Sequence, residues 1–328
     1  MLAAPATEAR SPTPRSWPFA EPRGLRSAKA HDALPGFYAD GKPCSVGCRA
    51  PGAIPGWPVR PFHRSHVLRA GLNELRPANF HFGVDVLARD GTPVYALQGG
   101  HAQVVSSAGP DARVRVGSFE YWHIRPLVGE GQYVRPYADV VGKVLRGAGH
   151  VHVSELRGDR YLNPLRPGGR VLAPWRDTAR PVLGRPRFLS GRRVLIRAFD
   201  PVIRRGRRAS RTPVLGLAGL AYRLYDERGR RGRLQWAFRG TQHLPAGRRR
   251  AVYAQGSHPA QAKCAALPHP CRPNWVYRLA GGLAPRLDAR PRRAYRLTAY
   301  AYDWAGHRSA LDTRVVFVRG RAFVAPAR

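Results

Sequence analysis

The sequence predicts a mostly β protein, and three observations carry that prediction. Glycine and proline, 35 and 31 of the 328 residues, interrupt every segment. No amphipathic run of helical period persists between them, and short stretches that alternate or cluster β-branched and aromatic residues recur along most of the chain. A hydrophobic content of 43% is enough to fold, and the length exceeds what one core usually serves, so more than one domain is expected.

Residues 1–56 are rich in Pro, Ala and Arg, lack periodicity, and read as a tail leading into a cysteine-containing loop. Residues 57–178 form a first β block. "TPVYAL" (Thr92–Leu97), "AQVVSS" (Ala102–Ser107), "ARVRVGSF" (Ala112–Phe119), "YVRP" (Tyr133–Pro136) and "VVGKVL" (Val140–Leu145) are strand candidates between Gly, Pro and Asp turns, and together predict a compact antiparallel sheet. "YLNPLRPGGRVLAPWRDTARP" (Tyr161–Pro181) loses periodicity and reads as exit and linker.

Residues 179–328 form a second β block. "RRVLIRAFDP" (Arg192–Pro201), "LAYRLYDERGR" (Leu220–Arg230), "AVYAQGS" (Ala251–Ser257), "WVYRLAGG" (Trp275–Gly282), "AYRLTAYAYDWAG" (Ala294–Gly306) and "TRVVFVRG" (Thr313–Gly320) predict a β-sandwich of seven strands or a similar number. Alternation places Tyr295, Leu297, Ala299 and Ala301 on one face of their strand, with Arg296, Thr298, Tyr300 and Tyr302 on the other.

The formal charge of +36 predicts a polyanionic environment. Almost all of it is arginine, with lysine only at Lys29, Lys42, Lys143 and Lys263. Runs such as "RRGRRASR" (Arg204–Arg211) and "RGRRGR" (Arg228–Arg233) fall between strand candidates, where a solvated loop face explains them better than specific nucleic-acid recognition. Cys44/Cys48 and Cys264/Cys271 form two local pairs that read better as disulfides than as a zinc finger, which points to an extracytoplasmic compartment. No apolar run is long enough to span a membrane. "MLAAPATEARSP" resembles a cleavage site without the basic and apolar regions that precede one, so no complete export signal is visible.

One constellation carries chemistry. "HFGVD" (His81–Asp85) stands at a strand entry, "YWH" (Tyr121–His123) follows an apolar strand, and "HVH" (His150–His152) closes the same block. Strand alternation projects His150 and His152 to one face, so both can look into one cleft. A catalytic zinc keeps three protein ligands and one open position. His81, Asp85 and one histidine of the H-x-H pair can supply those three, leaving His123 and the other member beside the open position.

At these residues the sequence resembles the lysostaphin-type, or LytM, zinc metallopeptidases of the M23 family, over roughly Trp57 to Trp175. "HFGVD" with "ARDGTPVYALQGG" matches the HxGxD motif and its following strand, "YWHIRPLVGEGQYV" the Y-x-H-L region and G-Q-x-V turn, and "GHVHVSEL" the H-x-H strand. The resemblance implies a LytM-type antiparallel peptidase domain with Zn2+ on His81, Asp85 and His152. It further implies His150 as general base towards a water whose pKa the metal lowers, and His123 as partner of the tetrahedral oxyanion. "VLRGAGHVH" is shorter than the family's Gly-rich loop, and Glu155 sits one place beyond the family's glutamate, so it receives no catalytic role. Tyr121 is open between cleft and core. His63 and His66 read as loop residues, and Glu120 and Asp139 lack any spacing for glycosidase work.

The expectation is a secreted or cell-wall-associated zinc metalloendopeptidase that hydrolyses cross-links or stem peptides of peptidoglycan, with an immunoglobulin-like sandwich positioning it and the arginine surface favouring anionic wall polymers. The alternative is a latent or non-catalytic LytM-type scaffold that activates other wall hydrolases.

Overall fold

The computed structural model describes residues 49–166, 168–202, 214–240, 243–259, 273–290, 292–318 and 321–324. Both cysteine pairs and the whole arginine run at 204–211 lie outside the described residues, as does the tail up to residue 48. Among the described residues the protein is built almost wholly of antiparallel β-strands, and the single α-helix is the four-residue Arg249–Val252. No helix there is long and apolar enough to cross a membrane.

The first β block contains β1 (Leu68–Ala70), β2 (Val84–Leu87), β3 (Pro93–Tyr95), β4 (Gly100–Ser106), β5 (Arg113–Val116), β6 (Phe119–Trp122), β7 (Ile124–Pro126), β8 (Tyr133–Val134), β9 (Val140–Val144), β10 (His150–Arg157) and β11 (Arg160–Leu162). The expected single sheet is two. Eight strands run in the order β1-β2-β10-β6-β5-β4-β8, with β11 on β10, while β3-β9-β7 form a three-stranded sheet. "ARVRVGSF", expected as one strand, is a hairpin: Gly117 takes φ +57, which reverses the chain between β5 and β6.

The second block contains β12 (Val182–Leu183), β13 (Arg187–Leu189), β14 (Arg193–Phe199), β15 (Gly219–Tyr225), β16 (Gln235–Arg239), β17 (Val276–Ala280), β18 (Ala294–Tyr302), β19 (Arg308–Val318) and β20 (Arg321–Val324). A four-stranded sheet around β14 and a five-stranded sheet, β16-β15-β18-β19-β20, face each other across one core that includes Ile196, Tyr277, Leu220 and Leu297. "AVYAQGS" is not a strand. The turn at Pro245–Arg248 leads into the helix, Val252 is its buried side chain, and Tyr253 adds only an isolated bridge to Tyr277.

The two blocks interlock. In β18, Tyr295, Leu297, Ala299 and Ala301 pack in the second core, as alternation predicts. The opposite face is also buried at its end: Tyr300, Tyr302 and the following Trp304 belong to the core of the first block. In return Phe80, from the segment between β1 and β2, is fully buried in the second core. Burying aromatics across the junction removes on the order of 150–250 Å² of surface each from water, so neither block closes its core alone.

Candidate metal centre

The centre lies where β10 pairs with both β2 and β6. Register sets His152 directly opposite Asp85 on one side and Trp122 on the other, with His150 opposite Leu87. His150 and His152 therefore share a face. His81 precedes β2 by three residues, and the glycine of "HFGVD" explains how it reaches the same point. A Cβ at Gly83 would stand 2.4 Å from Val153 O, 2.6 Å from His152 Nε2 and 2.8 Å from Ser154 Oγ, so only a bare backbone lets β10 and the His152 ring approach.

His81 Nε2, His152 Nδ1 and Asp85 Oδ1 converge. The two ring nitrogens are 2.8 Å apart, and each is 3.0 Å from the carboxylate oxygen. All three residues are buried, and their candidate ligand atoms lie within 4.8 Å of one another. The second nitrogen of each imidazole is anchored. His81 Nδ1 donates to Gly71 O at 2.8 Å, and because a carbonyl only accepts, the proton belongs on Nδ1 and the Nε2 lone pair faces the other two groups. His152 Nε2 pairs with Ser154 Oγ at 2.9 Å, leaving Nδ1 for the same point. Two ring nitrogens and a carboxylate oxygen at one spot share either a proton, as where His152 Nδ1 lies 3.0 Å from Asp85 Oδ1, or a cation, and outer hydrogen bonds of this kind fix metal-binding tautomers.

Hydrogen bonding and charge within the group set its ionisation. Burial pushes the Asp85 carboxyl up, but His81 and His152 outweigh it and hold it well below the usual carboxylate range. Burial drives His152 down to about 3 and also lowers His150, so both are neutral imidazoles at pH 7 without losing a proton to a metal.

His123 and His150 stand beside this group, with ring centroids 4.8 Å apart. His123 follows β6 at φ +62, a left-handed conformation, and its Nδ1 donates to Pro110 O at 2.6 Å. His150 Nε2 lies 3.7 Å from Asp85 Oδ1. Its Nδ1 is 2.6 Å from Ala148 O and 2.7 Å from Arg69 Nη1, which itself donates to Ala148 O at 3.1 Å. The preceding turn is pinned by Asp90, which accepts from Gly147 N and Gly149 N at 2.6 and 3.0 Å. A cleft of about 510 Å³ opens over the five residues, lined also by Arg69, Arg76, Phe82 and Trp122.

All five residues singled out in the sequence thus meet at one cleft. Tyr121 is core: it is fully buried, and its hydroxyl accepts from Leu97 N at 2.7 Å. Glu155 is bound in a buried ion pair with Arg166 at 2.7 Å. His66 bonds Pro61 O in its loop, Glu120 accepts from the Trp122 indole, and Asp139 pairs with Arg135. Sequence reasoning missed Ser154 as the anchor of His152, although alternation along β10 puts residues 150, 152 and 154 on one face. It also missed Arg69 and Arg76, the latter 3.5 Å from Asp85 Oδ2, because lone arginines in so basic a chain carry no signal.

The segment that delivers His81 is gripped by the second block. Asn73 N donates to His81 O and His81 N to Glu74 O, closing a narrow excursion between β1 and β2. Glu74 Oε1 accepts from Gly216 N, Asn73 Oδ1 from Leu244 N, Asn73 O from the Tyr253 hydroxyl, and Phe80 O from His243 Nε2, at 2.8 to 3.1 Å.

No protein-family model matches this chain, nor does any curated protein. Among solved structures the chain is similar to the antimicrobial peptidase lysostaphin from Staphylococcus simulans, at 11% identity over 80% of this chain and 95% of that one, with a TM-score of 0.25.

Proposed function

We propose that the protein is an extracytoplasmic zinc metalloendopeptidase that hydrolyses peptide bonds of bacterial peptidoglycan. The observation that carries this reading is the convergence of His81 Nε2, Asp85 Oδ1 and His152 Nδ1 beneath an open cleft bordered by two further histidines. Two imidazoles and a carboxylate are the donor set of a three-ligand zinc site with one position left open. Their spacing of 2.8–3.0 Å is close to the edge of about 3.3 Å that tetrahedral bonds of about 2.0 Å require. When bound, zinc supplies Lewis acidity at the scissile carbonyl and at the attacking water.

The chain's own residues do the rest. With its hydrogen on Nδ1, donated to Ala148 O in place of accepting from Arg69, His150 presents Nε2 to the cleft and takes a proton from the attacking water. His123, its Nδ1–H held by Pro110 O, has a free Nε2 lone pair and donates to the oxyanion once it carries a proton. Phe82 and Trp122, with ring centroids 5.0 Å apart, flank the His152 ring and keep bulk water from that side. Arg69 and Arg76 give the cleft a positive rim suited to the carboxylates of stem peptides, and the arginine-rich surface suits anionic wall polymers.

The division into 57–178 and 179–328 belongs to this proposal, with the second part as a structural half of the site rather than a tethered module. The test separates ligand from acid–base roles. His152→Ala should lose zinc and activity together, whereas His150→Ala should keep stoichiometric zinc and lose turnover by 10²–10⁴-fold. Zinc lost equally from both variants would contradict the assignment. Full zinc with no hydrolysis in the parent chain would instead favour a latent or scaffolding role.

A further inference from the structure

A second group of ionisable side chains is buried where the two blocks join, and the proposed chemistry uses none of them. Asp177 comes from the linker, Asp200 directly follows β14, and Asp303 and His307 lie in the turn between β18 and β19. The candidate ligand atoms of Asp177, Asp303 and His307 lie within 4.8 Å of one another. Asp200 and Asp303 are fully buried, as is the Asp177 side chain.

Two oxygens here accept no hydrogen bond: Asp177 Oδ2 and Asp200 Oδ2 are both sealed from solvent. The other oxygens are in use. Asp177 Oδ1 accepts from Ala179 N, Asp200 Oδ1 from Val202 N, and Asp303 Oδ1 from Ala305 N and His307 N. The positive groups facing the cluster are His307, which donates from Nδ1 to Asp303 Oδ2 at 2.8 Å, and Arg170, whose guanidinium bonds Trp304 O. Two cations against three carboxylates leave a buried negative charge and two bare oxygens, an arrangement that costs several kcal/mol unless something positive fills it.

We propose that Asp177, Asp200 and Asp303 form a structural site for a hard divalent cation of the calcium class. Oxygen-only donors on three separate chain segments suit Ca2+, which takes carboxylates and backbone carbonyls in flexible geometry. His307 is occupied with Asp303 and orients it. The cation would staple linker, β14 and the β18–β19 turn at the point where Trp304 enters the first core. The competing occupant is a proton: burial and neighbouring carboxylates push Asp177 up to about 7 and Asp200 well above the ordinary range.

The test uses the full chain carrying Asp85→Ala, so that no ion is counted at the first centre. Terbium, a calcium probe excited through a nearby indole, should luminesce by way of Trp304 and be displaced by Ca2+, with one Ca2+ retained per chain. At a hundredfold excess over Kd, Ca2+ should raise Tm by roughly 5 °C over chelator. Asp177→Asn combined with Asp200→Asn preserves shape and mimics the protonated state. It should keep the chelator Tm yet weaken Ca2+ at least tenfold. Absence of any retained Ca2+, with Tm indifferent to chelator, would overturn the proposal, as would unaltered Ca2+ binding in the double variant. Because Asp85 is absent throughout, either result leaves the peptidase reading untouched.

Discussion

Replacing Gly83 with alanine perturbs the centre by one methyl group. The added Cβ meets Val153 O at 2.4 Å and the Ser154 hydroxyl at 2.8 Å, and the first of these is backbone that cannot rotate away. It also meets His152 Nε2 at 2.6 Å. Real Cβ atoms do not sit closer than about 3 Å to other heavy atoms, so β10 must move by roughly half an ångström and carry His152 with it. Overpacking of this kind costs about 1–3 kcal/mol. Alanine's lower backbone entropy in the unfolded chain returns about 0.5–1 kcal/mol, for a net loss of up to about 2.5 kcal/mol. The displaced His152 loses its alignment with Ser154, and disturbing the outer support of a ligand costs about 10–100-fold in metal affinity. Gly129→Ala is the control, because nothing lies within 4 Å of its new methyl. Chelator competition and thermal melting read both quantities. Unchanged zinc affinity and Tm in Gly83→Ala would refute the close-approach reasoning.

Trp304→Ala, which empties a fully buried site in the first core from a residue of the second block, should cost about 3–5 kcal/mol and loosen both blocks in one cooperative transition; two separate melting transitions would contradict the interlocked core. Asp90→Ala frees Gly147 N and Gly149 N, so it should slow hydrolysis by His150 misplacement while zinc content stays whole, and equal loss of both would count against that division. In the metal-free chain, burial holds His152 at about 3, below its unfolded value of about 6.5. Its contribution to stability is therefore complete above pH 6.5 and is lost progressively as pH falls towards 3; histidine NMR should show this ring neutral at pH 5, and a midpoint near 6.5 would contradict the burial argument.

The site was legible because its signals are local and periodic. H-x-H in a strand puts two rings on one face whatever the rest of the chain does, and the glycine between His81 and Asp85 is a steric requirement visible in five residues. The fold class was legible for the same reason. What escaped were facts set by long-range packing. Tyr300 and Tyr302 read as the outer face of a sandwich strand, since nothing nearby in sequence announces that the first block covers them. Phe80 sits one residue before "HFGVD" yet belongs to the other core. The stretch around Tyr253 has strand-forming residues, but the turn at Pro245–Arg248 and the bond from its hydroxyl to Asn73 O decide its shape. Ser154, the residue before Glu155, has its value in one hydrogen bond to His152.

Digestion of purified peptidoglycan sacculi by the zinc-loaded chain, with released fragments mapped by mass spectrometry and with Asp85→Ala and chelator as parallel controls, tests the proposed peptidase activity. New amine and carboxyl ends at one type of peptide bond, absent from both controls, are expected. Intact sacculi in the presence of protein shown to hold one zinc at His81, Asp85 and His152 would contradict that activity.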